Sequence, residues 1–178
     1  MVKRVTTALL LLTMAVASTV TAGPPAQART VTAEQAQAAE LFRIRNVKSG
    51  LYLQNAIGSI SNGVAVAQYP RSTDGYQYFQ EVVDGQYRSF MHVKSGRNIG
   101  INIGNPLPGA KAILANGSAA YNQDWLMVTR SGTIVELRNR NSGLCLGIYD
   151  ASTQPAAVAA QFACDGGANQ GWQKIFVV

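Results

Sequence analysis

One pattern recurs three times along the chain, and that recurrence limits the possible folds more than any other feature. Segments 42–50, 88–96 and 135–143 align position by position, each closing on a Ser-Gly pair: Ser49-Gly50, Ser95-Gly96 and Ser142-Gly143. A Gln-x-aromatic triplet follows each, anchored by Gln77 and Phe79, Gln123 and Trp125, and Gln170 and Trp172. From Ser49 to Gln77, Ser95 to Gln123 and Ser142 to Gln170 the separation is 28 in every case. Agreement at two distant anchors defines three units, residues 41–85, 86–131 and 132–178. A unit of this size cannot cover its own apolar face, so the copies must close on one another.

Within the units apolar residues fall on every second position, as Phe42 and Ile44 do, and Val64 and Val66. That is the period of a half-buried strand. Ile44, Phe90 and Leu137 are equivalent, as are Leu53, Ile99 and Leu146. The Ser-Gly pairs mark turns, and Asn62-Gly63, Pro108-Gly109 and Pro155-Ala156 fill a second equivalent turn. The expectation is all-β, with four short strands per unit. The aromatic of each triplet would bury roughly 150–250 Å² in a shared core. The Gln two residues earlier is expected on the same strand face, hydrogen-bonded to a neighbouring turn. All six are therefore read as structural anchors of the repeat.

The length of 178 residues fits one domain at about 150 residues each. Its first 28 residues read as a signal peptide: Lys3 and Arg4, an apolar stretch strongest at 8–12, then Ala26-Gln27-Ala28 as a small-x-small cleavage pattern. Thr13, Ser18 and Thr21 break the stretch, which is too short to span a bilayer. Cleavage takes Lys3 and Arg4 out of the count, so the formal charge falls from +6 to +4. The product is expected to be secreted and extracellular, with no membrane span. Residues 29–40 form a short Ala- and Gln-rich leader. One His and two Cys exclude a multi-His metal site and a zinc ribbon. The basic excess is too thin to argue for nucleic acid, and no cofactor motif is present.

Three units ending in Gln-x-Trp or Gln-x-Phe resemble the ricin-B-type lectins, β-trefoil carbohydrate-binding modules, in their secreted bacterial form. The resemblance covers 41–178 and is nearest in the third unit, through Ser142-Gly143-Leu144-Cys145-Leu146, Gln161-Phe162-Ala163-Cys164 and Asn169-Gln170-Gly171-Trp172. It implies a β-trefoil and an intra-unit disulfide between Cys145 and Cys164. Tyr52 and Asn98, and Arg71 and Gly117, replace these cysteines in the other units, so one bridge is expected.

The resemblance also implies how sugar would be held. An Asp two residues after the first Cys position accepts hydroxyl bonds, an aromatic two before the second stacks on the sugar, and an Asn precedes the Gln-x-aromatic triplet. Here the Asp position holds Gln54, Gly100 and Gly147, the aromatic position Tyr69, Ala115 and Phe162, and the Asn position Tyr76, Asn122 and Asn169. No unit keeps the carboxylate. The second unit also lacks the aromatic and is expected to be inactive. Candidate carbohydrate-binding residues are therefore Gln54 and Tyr69 in the first unit, and Phe162 and Asn169 in the third, with Asp150 as a substitute carboxylate. A neutral amide forms hydrogen bonds roughly half as strong as a carboxylate's, so binding is expected to be weak or to use a rearranged site.

His92 stands where the other units have Asn46 and Asn139, and reads as a turn residue. The acids Asp74, Asp84, Asp124, Asp150 and Asp165 show no facing pair for glycoside hydrolysis. Arg43, Arg45, Lys48 and Lys94, with Arg138 and Arg140, cluster at the equivalent segment of the units, with the Arg pairs expected on outward strand faces as solvated charges. The alternative is a contact to an acidic polysaccharide or anionic envelope. The reading is a monomeric carbohydrate-binding protein without catalytic or metal site. Its alternative is a protein-interaction or protease-inhibitor trefoil that has lost sugar binding and uses a loop such as 102–110.

Overall fold

A computed structural model describes residues 40–177. The proposed signal peptide, and the leader except Glu40, lie outside the described residues. The first unit supplies β1 (Phe42–Asn46), β2 (Tyr52–Asn55), β3 (Val66–Tyr69) and β4 (Phe79–Asp84). The second supplies β5 (Tyr87–His92), β6 (Arg97–Ile101), β7 (Ala112–Ala115) and β8 (Trp125–Ser131). The third supplies β9 (Ile134–Asn139), β10 (Cys145–Ile148), β11 (Ala159–Phe162) and β12 (Trp172–Phe176). Four strands per repeat is the number the alternation predicts.

The first and last strands of each repeat form a closed antiparallel ring. Going round it, β1 pairs with β4, β4 with β5, β5 with β8, β8 with β9, β9 with β12, and β12 with β1. Closure removes the sheet edges that a single repeat would expose. The middle strands pair as hairpins: β2 with β3, β6 with β7, and β10 with β11. These join cyclically through the bridges Ala65↔Ile113, Lys111↔Ala160 and Val158↔Ala67. The three bridges are equivalent to one another, each joining one repeat to the next, so the chain is a β-trefoil: a six-stranded barrel capped by three hairpins.

The core follows the predicted equivalences. Ile44, Phe90 and Leu137 are buried, as are Leu53, Ile99 and Leu146, and Val66, Ala112 and Ala159. Phe79, Trp125 and Trp172 are fully buried. The indole Nε1–H of Trp125 donates to the Ile99 carbonyl at 3.0 Å, and that of Trp172 donates to Leu146 at 2.9 Å. Each Trp thus ties the last strand of its repeat to the second.

Two expectations need correction. Gln77, Gln123 and Gln170 do not lie on strands: Gln77 is in a turn, and the others end 3₁₀ turns at Tyr121–Gln123 and Ala168–Gln170. Their amides brace the preceding loop instead. Gln170 Nε2 donates to Ala163 O at 2.8 Å, and Gln123 Nε2 to Asn116 O at 2.8 Å. Arg43 is the second correction, for it is only 3% exposed. Its guanidinium lies 4.6 Å from the Tyr78 ring centroid and donates to Ser72 O and to the Tyr78 hydroxyl. The loop before β4 folds over this part of β1, which strand alternation cannot anticipate. Arg140 likewise pairs with Asp124 and Asp84 and stacks on Tyr87 and Tyr121.

The Asn46, His92 and Asn139 positions share one task. Asn46 Nδ2 donates to Asn169 O and Asn139 Nδ2 to Asn122 O, while His92 Nε2 lies 3.1 Å from Tyr76 O. Each ties its repeat to the loop before a Gln-x-aromatic strand. His92 is buried and ends strand β5, rather than lying in the turn that follows as the sequence had suggested, with Nδ1 on the Ser95 hydroxyl at 2.8 Å.

Candidate functional site

The third repeat turns sharply twice around one recess. The Tyr149–Ala151 turn joins the end of β10 to the loop leading to β11, and residues 163–171 link β11 to β12. In the β10–β11 ladder Cys145 faces Phe162 and Gly147 faces Ala160, which puts Phe162 on the same sheet face as Gly147. A Cβ built on Gly147 would lie 3.4 Å from Phe162 Cδ2, 3.5 Å from Asn169 Nδ2 and 3.0 Å from Gln170 Cγ. The missing side chain is thus the space into which these three groups close. Cys145 and Cys164 form a disulfide that fixes the far side of the Phe162 segment, as the resemblance implied.

The resulting recess of about 210 Å³ is lined by Asp150, Phe162, Asp165, Asn169 and Gln170, with Ile148 and Ala151. Three of the five sequence candidates therefore meet in one place. Asp150 reaches it from a turn position with φ of +51°, a left-handed conformation that Asp tolerates better than most side chains. Phe162 is half-buried and packs edge-on against Tyr149, with ring centroids 5.8 Å apart. Asn169 is positioned from outside its repeat, since its carbonyl accepts from Asn46 Nδ2 at 2.9 Å.

Asp165 is the residue that sequence reasoning missed. Ser72 and Ser118 stand at its equivalent positions, so no acid recurs there in the other repeats. Its Oδ1 accepts from Gly167 N at 2.7 Å, closing a tight turn that brings the carboxylate to the recess. The available signal was the Asp165-Gly166-Gly167 run beside Cys164, a turn composition next to a cross-link. Asp150 and Asp165 share this lining, which corrects the expectation that no two acids would face a common space.

The first repeat is arranged differently. Gln54 and Tyr69 lie on one face of the β2–β3 hairpin, because Gln54 faces Ala67 and Tyr52 faces Tyr69. Gln54 Oε1 accepts from Gln77 Nε2 at 3.0 Å, so its carbonyl supports the fold. Tyr76, in place of the Asn, carries Lys94 Nζ over its ring at 3.6 Å. The second repeat has Gly100 at the Asp position, where an added Cβ would lie 2.8 Å from Gln123 Cγ.

Residues 40–172 match the family described as the ricin-type beta-trefoil lectin domain. No curated protein sequence is similar enough to count as a match. Among solved structures, a designed three-fold symmetric protein, ThreeFoil, is 28% identical with a TM-score of 0.75, covering 77% of this chain and 99% of its own. The exo-beta-1,3-galactanase 1,3Gal43A from Clostridium thermocellum is 25% identical with a TM-score of 0.76, covering 79% of this chain, which corresponds to 31% of that enzyme. The Macrolepiota procera ricin B-like lectin, solved with lactose, is 18% identical with a TM-score of 0.67, covering 77% and 95%. Three anchored repeats, a closed barrel with its hairpin cap, and a family match across most of the described residues place this chain in the ricin-type β-trefoil lectin family.

Proposed function

We propose that the chain is an exported, monomeric carbohydrate-binding protein that acts by binding alone, with its working site in the third repeat. The supporting observation is the meeting of Asp150, Phe162 and Asn169 around one recess. A sugar has an apolar face and a polar rim. Phe162 offers an aromatic surface for the first, while Asn169 and the two carboxylates offer hydrogen bonds for the second. Carboxylates from neighbouring turns take the place of the one missing at Gly147, and charge-assisted bonds from sugar hydroxyls are roughly twice as strong as neutral ones. The first repeat is a secondary, weaker site, because Tyr69 lies beside an amide whose carbonyl is already engaged. Family membership and the lactose complex of the fungal lectin are consistent with this reading.

A glycan array probed with the purified protein tests it. Binding should appear, and Phe162→Ala should weaken it by about tenfold or more, the equivalent of 1.4 kcal/mol. Binding that survives Phe162→Ala and Tyr69→Ala together would reject both sites. The protein-interaction alternative is favoured by the loop at 102–110, where Ile103 and Leu107 are exposed. It predicts no glycan response and loss of a protein partner on Leu107→Asp.

A further inference from the structure

Asp150 also borders a second space, whose other lining residues differ from those of the recess. This open groove of about 590 Å³ lies between the second and third repeats. Lys111 lines it from the second repeat, and Tyr149, Asp150, Ser152 and Val158 from the third. Its volume lies within the range of small-ligand sites, about 300–1,000 Å³.

The cyclic hairpin bridges make Lys111 equivalent to Ala65 and Val158. Asp150 is likewise equivalent to Ile57 and Ile103, the central residues of the other hairpin-tip turns. Tyr149 takes the place of Ala56 and Asn102. Only one of the three inter-repeat positions therefore combines a cation, an anion and an aromatic ring. The fold does not require them, since it forms with Ala, Val and Ile at the same places. Among the described residues, neither Lys111 nor Asp150 has an ion pair. The groove wall is braced from the first repeat, where Gln68 Nε2 donates to Ser152 O and Gln154 O, both at 3.0 Å. Tyr149 is braced against Phe162. A preorganised wall reduces the ordering that a ligand would otherwise have to impose.

We propose that this groove is a second saccharide subsite, continuous with the recess across Asp150, and that it takes a sugar unit bearing an anionic group. The Lys111 ammonium pairs with that group, a sugar carboxylate or sulfate. Asp150 accepts hydroxyl bonds from the units on either side of it, and the exposed face of Tyr149 packs on the anionic unit. The ligand is then an oligosaccharide of at least two units, with the unit in the recess held by Phe162 and Asn169. This rests on the carbohydrate reading of the recess.

An array carrying neutral oligosaccharides beside their uronate and sulfated counterparts tests both ideas separately. Anionic glycans should bind about tenfold or more tighter than the neutral ones, as a charge-assisted contact implies. Lys111→Ala should abolish that preference and leave neutral binding intact, and Lys111→Arg should keep it. Alanine already occupies the equivalent position 65, so the variant should fold. The uronate and sulfate arms show which anion is preferred. Equal binding of neutral and anionic glycans, or a preference unchanged by Lys111→Ala, overturns the groove while leaving the recess standing if Phe162→Ala still weakens binding. An array with no bound glycan overturns both.

Discussion

Ile57 and Ile103 sit at φ of +53° and +48° with side chains 88% and 90% exposed. The left-handed region costs an L-residue about 1–2 kcal/mol, and no burial offsets that strain here. Glycine loses about 0.5–1 kcal/mol more backbone entropy on folding, so Ile103→Gly should raise stability by about 0.5–1 kcal/mol. Urea denaturation checks this, and a loss of stability would mean that the exposed side chain makes contacts absent from this structure. His92 carries the clearest pH signature. Burial holds its imidazole below the ordinary value of 6.5, the hydrogen bond to Tyr76 O opposes that shift, and Lys94 adds to it. The folded value lies below the unfolded one, so the unfolded chain takes up the proton first. This contribution to stability is complete above about pH 6.5 and is lost as pH falls through the folded value. Urea midpoints of wild type should drop more steeply than those of His92→Asn on acidification below about pH 6.5, and parallel curves would reject the assignment.

At the scale of elements, each hairpin tip is one solution to the same backbone problem, and the side chain at its centre decides what that repeat can do. Asp150 gives the third tip a carboxylate that lines the recess, whereas Ile57 and Ile103 leave exposed apolar points. The 19-residue separation of Cys145 and Cys164 closes β10, β11 and the turns between them into one covalent loop. Loop closure of this size restricts the unfolded chain by about 3 kcal/mol. Reduction should lower the unfolding free energy by about that amount, and it should weaken glycan binding if the Phe162 segment depends on the bridge. Denaturation with and without reductant, followed by glycan titration, measures both. An unchanged midpoint would show that backbone pairing alone holds the segment.

For the molecule as a whole, the ring closes only when β12 meets β1, so no repeat is complete without the other two. Trp172→Ala removes a fully buried indole and leaves the Leu146 carbonyl without its donor. The cost should be about 3–5 kcal/mol, and it should appear as one cooperative transition shifted to lower denaturant. Separate transitions for the third repeat and the rest would contradict a shared core. The framework was legible in the sequence because the Ser-to-Gln spacing and the Gln-x-aromatic anchors report local periodicity, repeated three times. In the site, the resemblance to the ricin-B-type lectins nominated Phe162 and Asn169, with Asp150 as a substitute carboxylate. Asp165 and Lys111 escaped because they have no counterpart acid or base in the other repeats.

The strand count and the equivalent core positions follow from residues repeated along the chain, whereas the paired cysteines and the absent carboxylate follow from its resemblance to the ricin-B-type lectins. Folding in three dimensions buries Arg43 under Tyr78, bonds Gln54 to Gln77, and brings Asp150 and Asp165 to one recess. Lys111 and Asp150, from different repeats, line one groove for the same reason. These are meetings of residues far apart in sequence or carried on turns, where side-chain direction is set by loop closure and cyclic hairpin pairing rather than by a strand's period of two.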